Sequence, residues 1–167
     1  MEYAKDVVIV GGVRTAHGRF KGALFETSAV DLGAMAIKAT LEQTGVDSST
    51  IDEVIMGNVL SAGIGQHPAR QAAINAGINI SKPAHIVNQV CGSGLRAVIS
   101  GYQSIKLGDA KNVISGGQEN MSIAPHSIFY SPKTVFFNNC RLRFKFQSTK
   151  VKCMVIHFDI IISIIRL

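Results

Sequence analysis

The stretch Ala84 to Val98, AHIVNQVCGSGLRAV, decides the fold, because a strand pattern turns into a helix pattern inside it with no linker between. Ala84 to Val90 is a short apolar run with β-branched residues and predicts a strand. It runs straight into Cys91-Gly92-Ser93-Gly94, after which Leu95 to Leu107 reads as helix.

The same alternation continues on both sides. Asp6 to Val10 (DVVIV) predicts a buried strand ended by Gly11-Gly12. Asp31 to Thr44 places Leu32, Met35, Ala36, Ala39 and Leu41 near helical spacing, with Gly45 as its cap. Glu53 to Leu60 (EVIMGNVL) is a further strand, and Pro68 to Ala76 (PARQAAINA) a helix with proline at its first position. Asn112 to Ser115 is a fourth strand closed by Gly116-Gly117. Strands alternating with helices predict an α/β fold, a mainly parallel sheet with helices on its faces.

The chain changes character near residue 127. Residues 1–126 contain 10 Lys/Arg against 10 Asp/Glu, whereas residues 127–167 contain 7 against the single Asp159, so the whole net charge of +6 sits in the last quarter. All 16 glycines lie at or before Gly117, and 6 of the 8 phenylalanines follow Ser127. The expected organisation is therefore a domain over 1–126 and a divergent basic and apolar tail over 127–167, outside the core. Charge gathered in such a tail does not read as a nucleic-acid footprint. No stretch approaches the roughly 20 apolar residues of a membrane helix, and no apolar leader follows Met1, so a cytoplasmic location is expected. Three cysteines, Cys91, Cys140 and Cys153, form neither a CxxC pair nor a disulfide framework.

Cys91 is the candidate nucleophile. A thiol at a helix N-terminus faces unpaired N–H groups and the positive end of the helix dipole, and both favour the thiolate. Gly92 and Gly94 leave room for close approach to the sulfur. Spacing alone also fits an inert core thiol. Ser93 is not a hydrolase elbow, since G-x-S-x-G requires glycine where Cys91 stands.

Five segments, in order, resolve that ambiguity: VRT (Val13 to Thr15), GRFKGAL (Gly18 to Leu24), GNVLSAGIGQHPARQAA (Gly57 to Ala73), NQVCGSGLRAV (Asn88 to Val98) and GGQENMSIAPH (Gly116 to His126). Together they resemble the N-terminal part of the thiolase family, in particular acetyl-CoA acetyltransferases of the biosynthetic type. The resemblance implies a thiolase-like N-terminal domain, with Cys91 as the residue that is acylated. It also implies coenzyme A thioesters as substrates, no permanently bound cofactor, and assembly as a homo-oligomer or with other thiolase subunits. A full thiolase resembles two α/β halves in five layers, with the cysteine-bearing helix buried between the sheets.

The family's GHP histidine, NEAF-type asparagine and CxG cysteine have no match in this sequence, and Cys140, Cys153 and His157 lack their contexts. The expectation is a truncated chain, impaired in turnover; the alternative is a non-catalytic fragment that associates with full-length thiolase subunits. Gly63 and Gly65 read as a turn or subunit-contact loop, because G-x-G-x-x-G is not completed. His67, His85 and His126 are too scattered for a metal site. Glu119 reads as structural, and Arg70 and Arg96 as solvated or ion-paired.

Overall fold

The computed structural model describes residues 6–125 and 162–166. Within them one mixed sheet contains β1 (Val8–Val13), β2 (Glu53–Gly57), β3 (Ala84–Val87), β4 (Asn112–Gly117) and β5 (Ile162–Arg166). Their order across the sheet is β1-β5-β4-β2-β3. β2 pairs in parallel with β3 and β4, while β5 runs antiparallel to β1 and β4. The helices are α1 (Ala29–Thr44), α2 (Pro68–Asn75) and α3 (Ser93–Leu107).

The period of two along β2 and β4 divides the core. Val54, Met56 and Ile114 meet Ile37 and Leu41 of α1 and Ala69 and Ala72 of α2. Ile55 and Val113 point the other way, to Ala97 and Ile105 of α3. All of these are buried, and a large one such as Ile55 or Ile37 contributes about 1.5–3 kcal/mol relative to exposure. The result is three layers, with α1 and α2 on one face and α3 on the other.

α1 starts two residues before the sequence pattern does, because Ser28 caps it. The Ser28 hydroxyl accepts from the Asp31 N–H at 3.0 Å, a cap worth about 1 kcal/mol. Gly45 ends the helix at φ 66°, as the sequence predicts. The buried stripe is rotated from the expected one: Met35 and Ala39 are exposed, and Ile37 and Thr40 take their places.

Strand ends differ more. Gly11 and Gly12 lie inside β1 instead of ending it, with a register shift between Ile9 and Gly11. α1 requires this absence of side chain, since a Cβ on Gly11 would stand 2.5 Å from Cγ2 of Thr44. Gly116 and Gly117 likewise continue β4, paired with Met56 and Gly57. β2 and β3 stop at Gly57 and Val87, each three residues early, because the next backbone groups bond to side chains of the candidate site.

The tail was expected outside the core, yet Ile162–Arg166 is inserted between β1 and β4. β1 has no other strand partner among the described residues. The β-branched run in ISIIR suits a strand paired on both edges.

Candidate active site

β2, β3 and β4 end at the same edge of the sheet, the edge where open α/β sheets bind ligands. Cys91 stands there, in the corner between β3 and α3. After Val87 the chain folds over Asn88, whose Oδ1 accepts from the Val90 N–H at 3.1 Å. Val90 then takes φ 48°, left-handed and strained for a β-branched residue, at a cost of about 1–3 kcal/mol. Val90 is 66% exposed, so packing does not impose the conformation.

Hydrogen bonds do. The Ser93 hydroxyl accepts from the Gln89 N–H at 2.9 Å and donates to the Val90 carbonyl at 2.6 Å. The N–H groups of Gly92 and Ser93 bond to Gln89 and Val90 carbonyls at 3.0 and 3.2 Å. At about 0.5–1.5 kcal/mol each, these bonds together exceed the strain. They leave Cys91 exposed as a free thiol, two positions before the first residue of α3. The N-cap, Gly92, has no side chain to occupy the first-turn N–H groups.

α3 sits close against the strand ends because glycine faces it. A Cβ on Gly57 would lie 2.4 Å from the Ser93 carbonyl carbon, and one on Gly117 would lie 3.3 Å from the Gly94 Cα. The demand for glycine falls on 57 and 117: a Cβ on Gly94 would meet only ordinary contacts, the nearest being the Gly117 Cα at 3.7 Å.

Glu119 has the structural role expected of it. Its carboxylate accepts from Asn58 Nδ2 at 3.1 Å and from the N–H groups of Val59 and Leu60 at 2.8 and 3.2 Å, which turns the chain away after β2. Asn58 Nδ2 also donates to the Gln118 carbonyl at 3.0 Å, and Asn88 Nδ2 to the Val59 carbonyl at 3.4 Å. Asn120 Nδ2 bonds to the Leu24 and Thr27 carbonyls, and the Lys21 N–H to Ser122 Oγ at 2.9 Å. Four of the five sequence segments therefore converge on this edge. Asn58 Oδ1 and both polar atoms of the Gln118 side chain are buried without a hydrogen-bond partner among the described residues.

The remaining candidates lie elsewhere. His67 caps α2, its Nδ1 accepting from the Arg70 N–H at 3.2 Å. His85 faces Glu53 at 3.1 Å and is far along β3 from Cys91 in register. Arg70 is half-buried and makes no ion pair among the described residues; its guanidinium donates to the Ile80 and Lys82 carbonyls and ties down the loop after α2. Arg96 is exposed. Gly63 and Gly65 form a turn with φ 76° and 81°, held by Gln71 Nε2 on the Ile64 and Gln66 carbonyls. Among the described residues no group of three or more His, Cys, Asp or Glu is placed to hold a metal ion. His126, Cys140, Cys153 and His157 lie outside the described residues.

Sequence reasoning missed Val90, Asn88 and the hydroxyl of Ser93. Asn two residues ahead of a turn residue was a usable signal; the left-handed valine carried none.

Fold and site together define an α/β domain that presents a cysteine thiol at a strand–helix corner. The chain belongs to the thiolase family: the model of the thiolase N-terminal domain matches residues 7–155, past the change in composition at 127. An acetyl-CoA acetyltransferase of Pseudomonas aeruginosa is 56% identical over 122 residues, covering 73% of this chain and 31% of that protein. A probable acetyl-CoA acetyltransferase of Escherichia coli (strain K12) is 52% identical over 138 residues, 83% of this chain and 35% of that protein. The crystal structure of Acat5 thiolase from Ascaris suum in complex with coenzyme A superposes with a TM-score of 0.72 at 43% identity, covering 77% of this chain and 33% of that one. The chain thus spans about a third of the length of the curated relatives it matches. No helix among the described residues is long and apolar enough to cross a membrane.

Proposed function

We propose that this chain supplies the nucleophile for thiolase-type acyl transfer between coenzyme A thioesters, as in acetyl-CoA C-acetyltransferases. The observation that carries this is the exposed Cys91 thiol, held by a strained corner ahead of α3. The Cys91 thiolate attacks the thioester carbonyl carbon, the C–S bond to coenzyme A breaks, and the departing sulfur takes a proton. A second acetyl-CoA, deprotonated at its α-carbon, then attacks acyl-Cys91, forming a C–C bond and freeing the thiolate. Coenzyme A enters as substrate and is not a resident group. The reading also places the chain in cytoplasmic acyl-CoA and lipid metabolism, and in a homo-oligomer or an assembly with thiolase subunits.

This sequence contains no GHP or CxG segment to move the protons. General acid–base assistance is commonly worth about 10² to 10⁴ in rate, so the 167-residue chain alone is expected to be impaired, acylated slowly and without steady turnover. Incubation with acetyl-CoA followed by peptide mapping tests this. Acetyl on Cys91 ahead of Cys140 and Cys153 is the expected result. Labelling of the tail cysteines first, or of none, sinks the assignment.

A second reading, a non-catalytic module that joins thiolase subunits, is favoured by one surface. Leu95, Ile99 and Tyr102 recur at helical spacing on the outer side of α3 and are 69%, 40% and 47% exposed.

A further inference from the structure

We propose that Ser93 is the positioning residue for Cys91, acting through the left-handed turn at Val90; the inference rests on Cys91 being the nucleophile. Ser93 is 2% exposed, and its hydroxyl is used fully inside the corner, accepting from the Gln89 N–H and donating to the Val90 carbonyl. These two bonds hold the Asn88–Gln89 and Val90–Cys91 peptide groups, so one side chain brackets the two-residue segment that contains the strained Val90. Val90 has no packing reason to keep φ at 48°, since its side chain faces solvent. Released, a β-branched residue returns to the β or right-handed α region. The chain direction at Cys91 would then change, and the thiol would leave its place before the N-terminus of α3. Burial does not limit access in the parent, because Cys91 is exposed. What Ser93 controls is where Cys91 stands relative to the N-terminus of α3.

This differs from a packing role in a way that can be measured. If the hydroxyl serves to hold a strained turn, it becomes dispensable once the strain is gone, and glycine at 90 adopts positive φ freely. The experiment compares the full chain with Ser93→Ala and with Val90→Gly/Ser93→Ala. Iodoacetamide labelling of Cys91 is timed by peptide mapping, with Cys140 and Cys153 in the same molecule as references. Ser93→Ala should slow Cys91 relative to the references by about three- to tenfold, the worth of an ordinary hydrogen bond. The double variant should return most of that loss. A Ser93→Ala rate equal to the parent overturns the proposal while leaving the nucleophile reading intact. So does a loss that Val90→Gly does not restore, since that places Ser93 in core packing. Parent Cys91 labelled no faster than the tail cysteines removes both readings. Should Ser93→Ala alone fail to fold, a folded double variant with the parental rate supports the proposal, and a double variant that also fails overturns it.

Discussion

Asp52, just ahead of β2, shows how a single carboxylate joins two strands. Burial pushes its carboxyl up. The N–H groups of Lys111 and Asn112, at 2.9 and 3.1 Å, outweigh that together with the Lys82 ammonium at 3.6 Å, and hold it below the ordinary carboxylate value. A carboxyl depressed in the folded state contributes stability that is complete above the unfolded value of about 3.9. That contribution is lost as pH falls through the folded value. Asp52→Asn should therefore lower the urea midpoint at pH 7, and the gap to the parent should shrink as pH drops below about 4. A gap that stays constant down to acid pH would mean that the charge of Asp52 does not contribute. Residues of this kind were only partly legible in sequence. Cys91 and Glu119 could be placed because each stands beside glycines at a strand end. Val90 and Ser93 could not, because a positive φ on valine contradicts its propensity and is forced by hydrogen bonds that exist only in the folded corner.

Among the strands and helices, type and order were more legible than ends. Hydrophobic pattern continues through Val59 and Leu60 after β2, and through Val90 after β3, so period alone cannot see that Glu119 and Ser93 capture those backbone groups. β5 was illegible for another reason: it is an apolar run with no glycine or turn residue marking it off, and its place is set by two partners distant in sequence. The structure makes β5 the only strand that joins β1 to the rest of the sheet among the described residues. Ending the chain at residue 161 should then free β1. Hydrogen exchange at Ile9 to Val13 is expected to rise to that of an unpaired segment, while Val54 to Met56 and their partners in β3 stay protected. Unchanged protection of β1 in the shortened chain would show that β5 does not hold it.

For the molecule as a whole, uncovered apolar surface governs the expected behaviour in solution. α3 is covered by the sheet along Ala97 and Ile105, but Leu95, Ile99 and Tyr102 face outward, as do Val8, Ile9 and Val10 of β1. Apolar patches of this kind mark interfaces or aggregation sites. The full chain is expected to associate in a concentration-dependent manner, and Leu95→Lys/Tyr102→Lys to be markedly more monomeric by sedimentation velocity. Equal association by parent and variant would rule out the α3 surface as the contact.

The antiparallel pairing of β5 also bears on how the chain is made. Val8 opposes Arg166, so β1 finds this partner only after the long stretch of chain between them has been made. Such a distant closure is slow, because the loop entropy must be met before the contact forms. A nascent chain on the ribosome can assemble β2, β3 and β4 with α3 while Val8 to Val13 waits unpaired. During that interval its apolar residues are open to holdase chaperones or to neighbouring nascent chains, so the pace of translation through the tail becomes a determinant of how much protein reaches the folded state.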